Sequence, residues 1–237
     1  MYFCGININV KTREELFKQS TSYMHIITLN AEGIVKANSD VRLLRIFNNG
    51  YVTIDGQIPL WLYKIKYPKE VIYKLSGSDI IYDFCNMAEK KSYKVFLLGG
   101  KELSNKLSLI RLREKYPQLN IDGYSPPFEI YPFSDENETK IRNCLLKYKP
   151  DIIFVGFGMG KQEYWIEDNS DFMKKIGVKW VIGSGGTFEF VSQEIKRAPL
   201  FIQKVGLESI WRLITEPKLF RFKRIIVSLG IFKYCFK

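Results

Sequence analysis

Apolar residues in this chain fall in short unbroken runs separated by longer stretches of helical spacing. Met24–Leu29, Tyr51–Ile54, Val95–Leu98, Ile152–Val155 and Trp180–Ile182 read as strands, with a weaker one around Leu119–Ile121. Runs as continuous as Ile152–Val155 suit strands buried on both faces. Helices are expected over Thr12–Lys18, where Thr12 and Glu15 have capping-box spacing, over Val41–Phe47, from Pro59 to Tyr63, and over Ser78–Lys90, Glu102–Lys115 and Glu136–Lys147. Glycines follow the strands at Gly99-Gly100, at Gly156 and Gly158, and at Gly183 to Gly186. This βαβα rhythm predicts an α/β fold: a Rossmann-like, mostly parallel sheet with helices on both faces.

Beyond Arg197-Ala198-Pro199 the strand pattern stops. Phe201–Ile214 reads as helix, Glu216-Pro217 breaks it, and Lys218–Lys237 mixes basic with apolar residues. The division expected is an α/β core over residues 1–198 and a basic helical appendage over 199–237. A packed helix pair is one reading of that appendage. A membrane-surface or substrate-covering element is the other, and the charge density favours it.

Composition narrows the partners. A chain of 237 residues, 46% hydrophobic, suits one compact α/β domain with ample core. The net charge of +11 points to an anionic partner: nucleic acid, a nucleotide or diphosphate ligand, or an acidic membrane surface. Ten basic residues against Glu194, Glu208 and Glu216 lie from Glu194 onward, so most of the excess sits in the last fifth. Cys4, Cys85, Cys144 and Cys235 show no CxxC spacing, which argues against a zinc site or a disulfide framework and fits a reducing cytoplasm. The N-terminus has no secretory pattern, and no apolar run approaches the roughly 20 residues that span a bilayer, so a soluble or peripheral protein is expected.

The stretch Asp151–Trp165 joins a buried strand to Gly156, Gly158 and then Lys161-Gln162-Glu163. A strand ending in glycines before a helix leaves backbone N–H groups at the carboxyl edge of the sheet, the usual ligand position in open α/β folds; a plain βα turn has the same pattern. The single His25 lies inside a predicted strand without a histidine partner and reads as a satisfied core residue, which largely removes serine-histidine and histidine-metal chemistry. Carboxylates remain as bases. Asp55, where a β run meets Gly56, is one candidate, and an ordinary Asp-Gly turn is the competing reading. Gly99-Gly100 and Gly183 to Gly186 would admit a nucleotide closely, yet neither is a G-x-G-x-x-G fingerprint or a Walker loop. Arg212, Arg221 and Arg224 suit a diphosphate through forked hydrogen bonds, and equally suit solvent or lipid headgroups. An oxidoreductase would want the missing dinucleotide fingerprint, and a nucleic-acid-binding module a recognised motif that is absent here.

Taken in order, the sequence resembles the WecG/TagA/CpsF family of bacterial glycosyltransferases. The likeness rests on Thr28-Leu29-Asn30, Asp55-Gly56, Gly77-Ser78-Asp79, Phe96 to Gly100, Tyr116-Pro117, Gly156-Phe157-Gly158 with Lys161-Gln162-Glu163, Gly183 with Gly185-Gly186 and Phe188, Lys196 to Pro199, Gly206-Leu207-Glu208, and Arg212-Leu213 with Glu216-Pro217 and Arg221. Departures from the family pattern are Gly160, Glu189, Gln193 and Lys74, and they bear on donor and acceptor identity.

The resemblance implies inverting transfer of a sugar from a UDP-sugar donor to a polyprenyl-diphosphate-linked saccharide in surface-polysaccharide assembly (capsule, exopolysaccharide or teichoic-acid linkage). It implies no cofactor, no metal and no nucleic acid. The protein would lie on the inner face of the cell membrane against its anionic surface, with homo-oligomerisation left open. By position, Asp55 is implied as the base on the acceptor hydroxyl, and Thr28, Asn30 and Gln162 as polar lining of the sugar and phosphate pocket. Gly99, Gly100, Gly185 and Gly186 are implied as the nucleotide platform, and Arg212, Arg221 and Arg224 as the appendage's cations for the diphosphate.

Overall fold

The computed structural model describes residues 1–17 and 23–235; Lys18, where the first expected helix ends, and the last two residues of the tail lie outside it. The chain opens with a hairpin that its apolar pattern does not announce. Tyr2–Phe3 (β1) pairs antiparallel with Ile6–Asn7 (β2), and the turn is made by Cys4 and Gly5 at φ of 51° and 78°. Two consecutive positive φ values are what a two-residue type I′ hairpin requires. Arg13–Phe17 (α1) begins as its capping box predicts, the Glu15 carboxylate accepting from the Thr12 backbone N–H at 3.3 Å.

Met24–Leu29 (β3) is followed by Ala31–Ser39 (α2), a helix the periodicity did not reveal, and then by Val41–Asn49 (α3). Both helices start at side-chain caps: Asn30 accepts from the Gly33 N–H at 2.9 Å and Asp40 from the Leu43 N–H at 3.0 Å. Such a cap contributes about 1 kcal/mol by satisfying a donor the helix itself cannot. Next come Tyr51–Ile54 (β4), Gln57–Lys66 (α4), Gly77–Lys91 (α5), Lys94–Gly99 (β5), Glu102–Lys115 (α6), Asn120–Tyr124 (β6) and Asp135–Tyr148 (α7). Ile152–Gly156 (β7), Lys161–Asp168 (α8), Ser170–Lys175 (α9), Trp180–Gly183 (β8) and Thr187–Val191 (α10) complete the alternation.

The tail is Leu200–Lys204 (α11), Glu208–Thr215 (α12), Leu219–Leu229 (α13) and Ile231–Cys235 (α14). The single helix expected over Phe201–Ile214 is two, because the chain turns at Gly206 with φ of 74°. A Cβ at that position would stand 3.4 Å from Ile58 and 3.5 Å from Trp61, so the turn rests directly on α4.

Apart from the β1–β2 hairpin, the strands form one six-stranded parallel sheet in the order β4-β3-β8-β7-β5-β6, with helices around it. By packing the chain forms two compact units, one of Met1–Lys18, Ile27–Ser76 and Lys196–Lys237, the other of Gln19–Ile26 and Gly77–Ile195. In the second unit, Phe96, Leu98, Ile153, Val155 and Val181 of the strands pack against Ile141 and Leu145 of α7 and Trp165 and Ile166 of α8. Each such fully buried side chain contributes about 1.5–3 kcal/mol of burial free energy. In the first unit α2 packs against α3, α13 and α14. Phe3 of the hairpin meets Tyr63 of α4 edge-on, the ring centroids 5.4 Å apart.

Candidate active site

Within the first unit, β3 and β4 end side by side. The Asp55 backbone N–H donates to the Leu29 carbonyl at 2.8 Å, and Gly56 at φ of 93° then turns the chain into α4. The Asp55 carboxylate is thereby presented at the carboxyl ends of two strands, beside the cap residue Asn30. A cavity of about 180 Å³ opens there, and Asn30, Glu32, Asp55, Arg212, Arg221 and Arg224 are among the residues that line it. Residues from the first third of the chain and from its tail therefore share one cavity. Thr28, expected beside them, is buried within β3 and is not part of the cavity wall.

Each tail arginine is held by a carboxylate. Arg212 donates to Glu208 one turn earlier at 2.7 Å, Arg221 is paired with Glu216, and Arg224 donates through Nε to Glu32 of α2 at 2.6 Å. Burial pushes the Arg212 guanidinium below its ordinary value, against the opposing pull of Glu208 and of Asp55. A guanidinium stays charged under such conditions, so Arg212 is a partly desolvated cation. Arg221 has a buried Nε with no hydrogen-bond partner among the described residues. Burial would raise the Glu32 carboxyl, but Arg224 and Lys36 outweigh it and hold Glu32 below the usual carboxylate range. Guanidinium groups and a carboxylate lining one cavity suit proton removal from a hydroxyl together with neutralisation of a phosphate.

Glu32 was not singled out in the sequence, Glu208 only as part of the Gly206-Leu207-Glu208 motif and Lys74 only as a departure from the family pattern; all three line the cavity. The Asn30 cap was the available signal for Glu32, because it places that residue in the first turn of a helix starting at the strand end.

The second unit holds Gln162 and the remaining candidate glycines. Gln162 is 1% exposed, and its amide oxygen accepts from the N–H groups of Gly158 at 3.2 Å and Gly185 at 3.0 Å. Its amide nitrogen donates to Glu163 at 2.8 Å, and Glu163 in turn accepts from the Gly160 N–H at 2.6 Å. In this structure Gln162 thus braces the loops after β7 and β8 against each other. A Cβ on Gly99 would lie 2.7 Å from the Phe157 ring and one on Gly100 2.7 Å from the Phe188 ring, so the protein's own aromatics fill the space beside both. Among the described residues nothing lies within 4 Å of a Cβ on Gly185, and only Glu189 approaches one on Gly186, at 3.3 Å. Of the four glycines, Gly185 and Gly186 leave the most room for a ligand.

His25 lies inside β3 as expected, but it is half-buried and not satisfied: its Nε2 is buried with no hydrogen-bond partner among the described residues, and burial of the ring nitrogen pushes it down to about 3. It is neutral at ordinary pH.

The outer side of the tail is apolar and basic. Leu200, Phe201, Ile214 and Leu219 are each at least 71% exposed, and α11, α12 and α13 bury no side chain fully. Among the described residues no helix is long and apolar enough to cross a membrane.

The family model described as "Glycosyl transferase WecG/TagA/CpsF family" matches residues 1–236. An N-acetylglucosaminyldiphosphoundecaprenol N-acetyl-beta-D-mannosaminyltransferase of Staphylococcus aureus strain MRSA252 is 29% identical over 231 residues, covering 95% of this chain and 84% of that protein. The protein of the same name from strain NCTC 8325 / PS 47 is 28% identical over 230 residues, with the same coverage. The chain belongs to the WecG/TagA/CpsF family of glycosyltransferases.

Proposed function

We propose that this protein transfers a sugar from a UDP-sugar to a polyprenyl-diphosphate-linked saccharide with inversion and without a metal ion, at the cytoplasmic face of the membrane. The observation that carries the reading is that Asp55 and the three tail arginines line one cavity. Asp55 takes the proton from the acceptor hydroxyl as that oxygen attacks the anomeric carbon on the face opposite the leaving group. The guanidinium groups of Arg212, Arg221 and Arg224 neutralise the departing diphosphate, the task a divalent cation performs in other transferases. In the second unit, Gly185 and Gly186 are read as backbone that approaches the nucleotide.

The acceptor class is the one in the names of the similar staphylococcal proteins, an N-acetylglucosaminyl-diphosphoundecaprenol. Such a lipid stays in the bilayer while its head enters the cavity, which gives a purpose to the exposed apolar and basic face of α11 to α13. Each basic residue near an anionic surface adds about 1 kcal/mol of attraction.

The reading is tested by measuring UDP release from a panel of UDP-sugars, UDP-N-acetylmannosamine included, with a lipid-diphosphate N-acetylglucosamine acceptor, in the presence and absence of EDTA. Acceptor-dependent release that EDTA leaves unchanged is the expected result. Release that requires added divalent metal would remove the arginines from the role given to them.

A further inference from the structure

The tail is fastened to its own unit at few points. α11, α12 and α13 bury no side chain fully, and the buried side chains of the tail helices are Ile231 and Cys235, both on the five-residue helix α14. Cys235 is 7% exposed, and its Sγ lies 2.6 Å from the Sγ of Cys4, itself 3% exposed. Cys4 sits at the tip of the β1–β2 turn, where the Asn38 side chain donates to its carbonyl at 2.9 Å and the neighbouring Phe3 is fully buried. One sulfur is therefore fixed on a pinned hairpin, the other rides on a short terminal helix, and they face each other across 231 positions of sequence.

We infer that Cys4 and Cys235 form a thiol–disulfide exchange site, taking small-molecule disulfides, whose closure staples the end of the tail to the N-terminal hairpin. Burial raises both thiols above their ordinary value, so they stay protonated while α14 is docked, although Lys66 lies near enough to favour the thiolate of each. Exchange begins when α14 lifts and exposes Cys235. The Cys235 thiolate attacks one sulfur of the small disulfide, the bond between the two small-molecule sulfurs breaks, and one half leaves as a thiol. When α14 docks again, the Cys4 thiolate attacks the Cys235 sulfur and expels the second half. Two protein thiols are oxidised and one small disulfide is reduced to two thiols. The product joins the two ends of the chain and holds α13, with Arg221 and Arg224, beside α2. In a reducing cytoplasm the pair rests as thiols, and closure marks exposure to disulfide.

The test uses the full chain treated with cystamine, alkylated, digested without reductant and mapped by mass spectrometry. The expected result is a Cys4–Cys235 linked peptide, with Cys85 and Cys144 alkylated. Proteolytic cleavage between α11 and α13 should slow about tenfold and return to its first rate after reduction. The Cys235→Ser chain should give no linked peptide and no protection. Treated wild-type protein in which Cys4 and Cys235 remain alkylatable, carry stable mixed disulfides, or pair with Cys85 or Cys144 overturns the inference. These outcomes do not depend on sugar transfer, so the site stands or falls separately from the proposed function.

Discussion

Glu32 and Arg224 stand 192 positions apart in sequence and meet at 2.6 Å, tying the first turn of α2 to the middle of α13. Arg224 uses its Nε for this bond. Glu32 is 7% exposed and also bonds Lys36 at 2.8 Å.

Glu32→Ala therefore leaves two cations without their carboxylate. The expected cost is about 1–2 kcal/mol, reduced from the value for a fully buried pair because Arg224 is half-exposed. Limited proteolysis should cut the tail of the variant sooner than that of the wild type. Because the Glu32 carboxyl is held below its ordinary value, its contribution is complete above the ordinary carboxylate range and is lost as pH falls through the depressed value. Equal protease resistance of variant and wild type at neutral pH would show that this pair does not fasten the tail.

His25 gives a second pH dependence, of known sign. Its folded value is depressed from 6.5 to about 3, so between those limits the unfolded chain binds a proton that the folded chain does not. Stability from this residue is present above 6.5 and declines as pH falls toward 3. His25→Gln should flatten that part of the profile in urea titrations taken across the acid range. An acid limb identical to that of the wild type would mean the histidine is protonated in the folded state.

The glycines of the second unit separate by what surrounds them. Gly100→Ala drives a methyl group to 2.7 Å from Phe188 at φ of 71° and should cost about 2–4 kcal/mol. Gly185→Ala meets open space at φ of 50° and should cost about 1 kcal/mol while leaving the chain folded. If Gly185 approaches the nucleotide, that variant also raises the KM for the donor. Equal losses of stability in the two variants would contradict the packing described here.

Truncation before Pro217 removes α13 and α14, and with them Arg221, Arg224 and the exposed Phe220, Phe222 and Ile226. Turnover and binding to anionic vesicles should fall together, while the second unit keeps its fold by circular dichroism. Vesicle binding equal to that of the full chain would take the membrane contact away from α13.

The strands were readable because a sheet covered on both faces needs continuous apolar runs, and Val95–Leu98 and Ile152–Val155 are such runs. α2 was not, because its start is marked by Asn30 without a glutamate three residues on, and Gly33 breaks the apolar stripe. The break at Gly206 was hidden for a related reason: a lone glycine inside helical spacing is tolerated unless tertiary contacts use it, and here it rests on α4. The Asp55–Arg212 relationship joins distant parts of the chain, so motif resemblance suggested it and only the fold could bring the groups to one cavity. Thr28 and Gln162 are placed by the fold in ways that position in the sequence does not reveal. Both match the family pattern, yet Thr28 is buried in β3 and Gln162 spends its amide on the glycine loops. The Arg224 partner of Glu32 and the Cys4 partner of Cys235 follow from how the tail helices dock, which no local pattern encodes, whereas Glu208 and Arg212 pair at a local i,i+4 spacing.

The central claim is that Asp55 removes the acceptor proton in a cavity whose cations come from the tail. The most direct measurement compares Asp55→Asn with the wild type for acceptor-dependent UDP release, alongside calorimetric binding of UDP to both. The account predicts a loss of turnover of about a hundredfold or more with UDP affinity unchanged. Turnover equal to that of the wild type in a folded Asp55→Asn chain would contradict it.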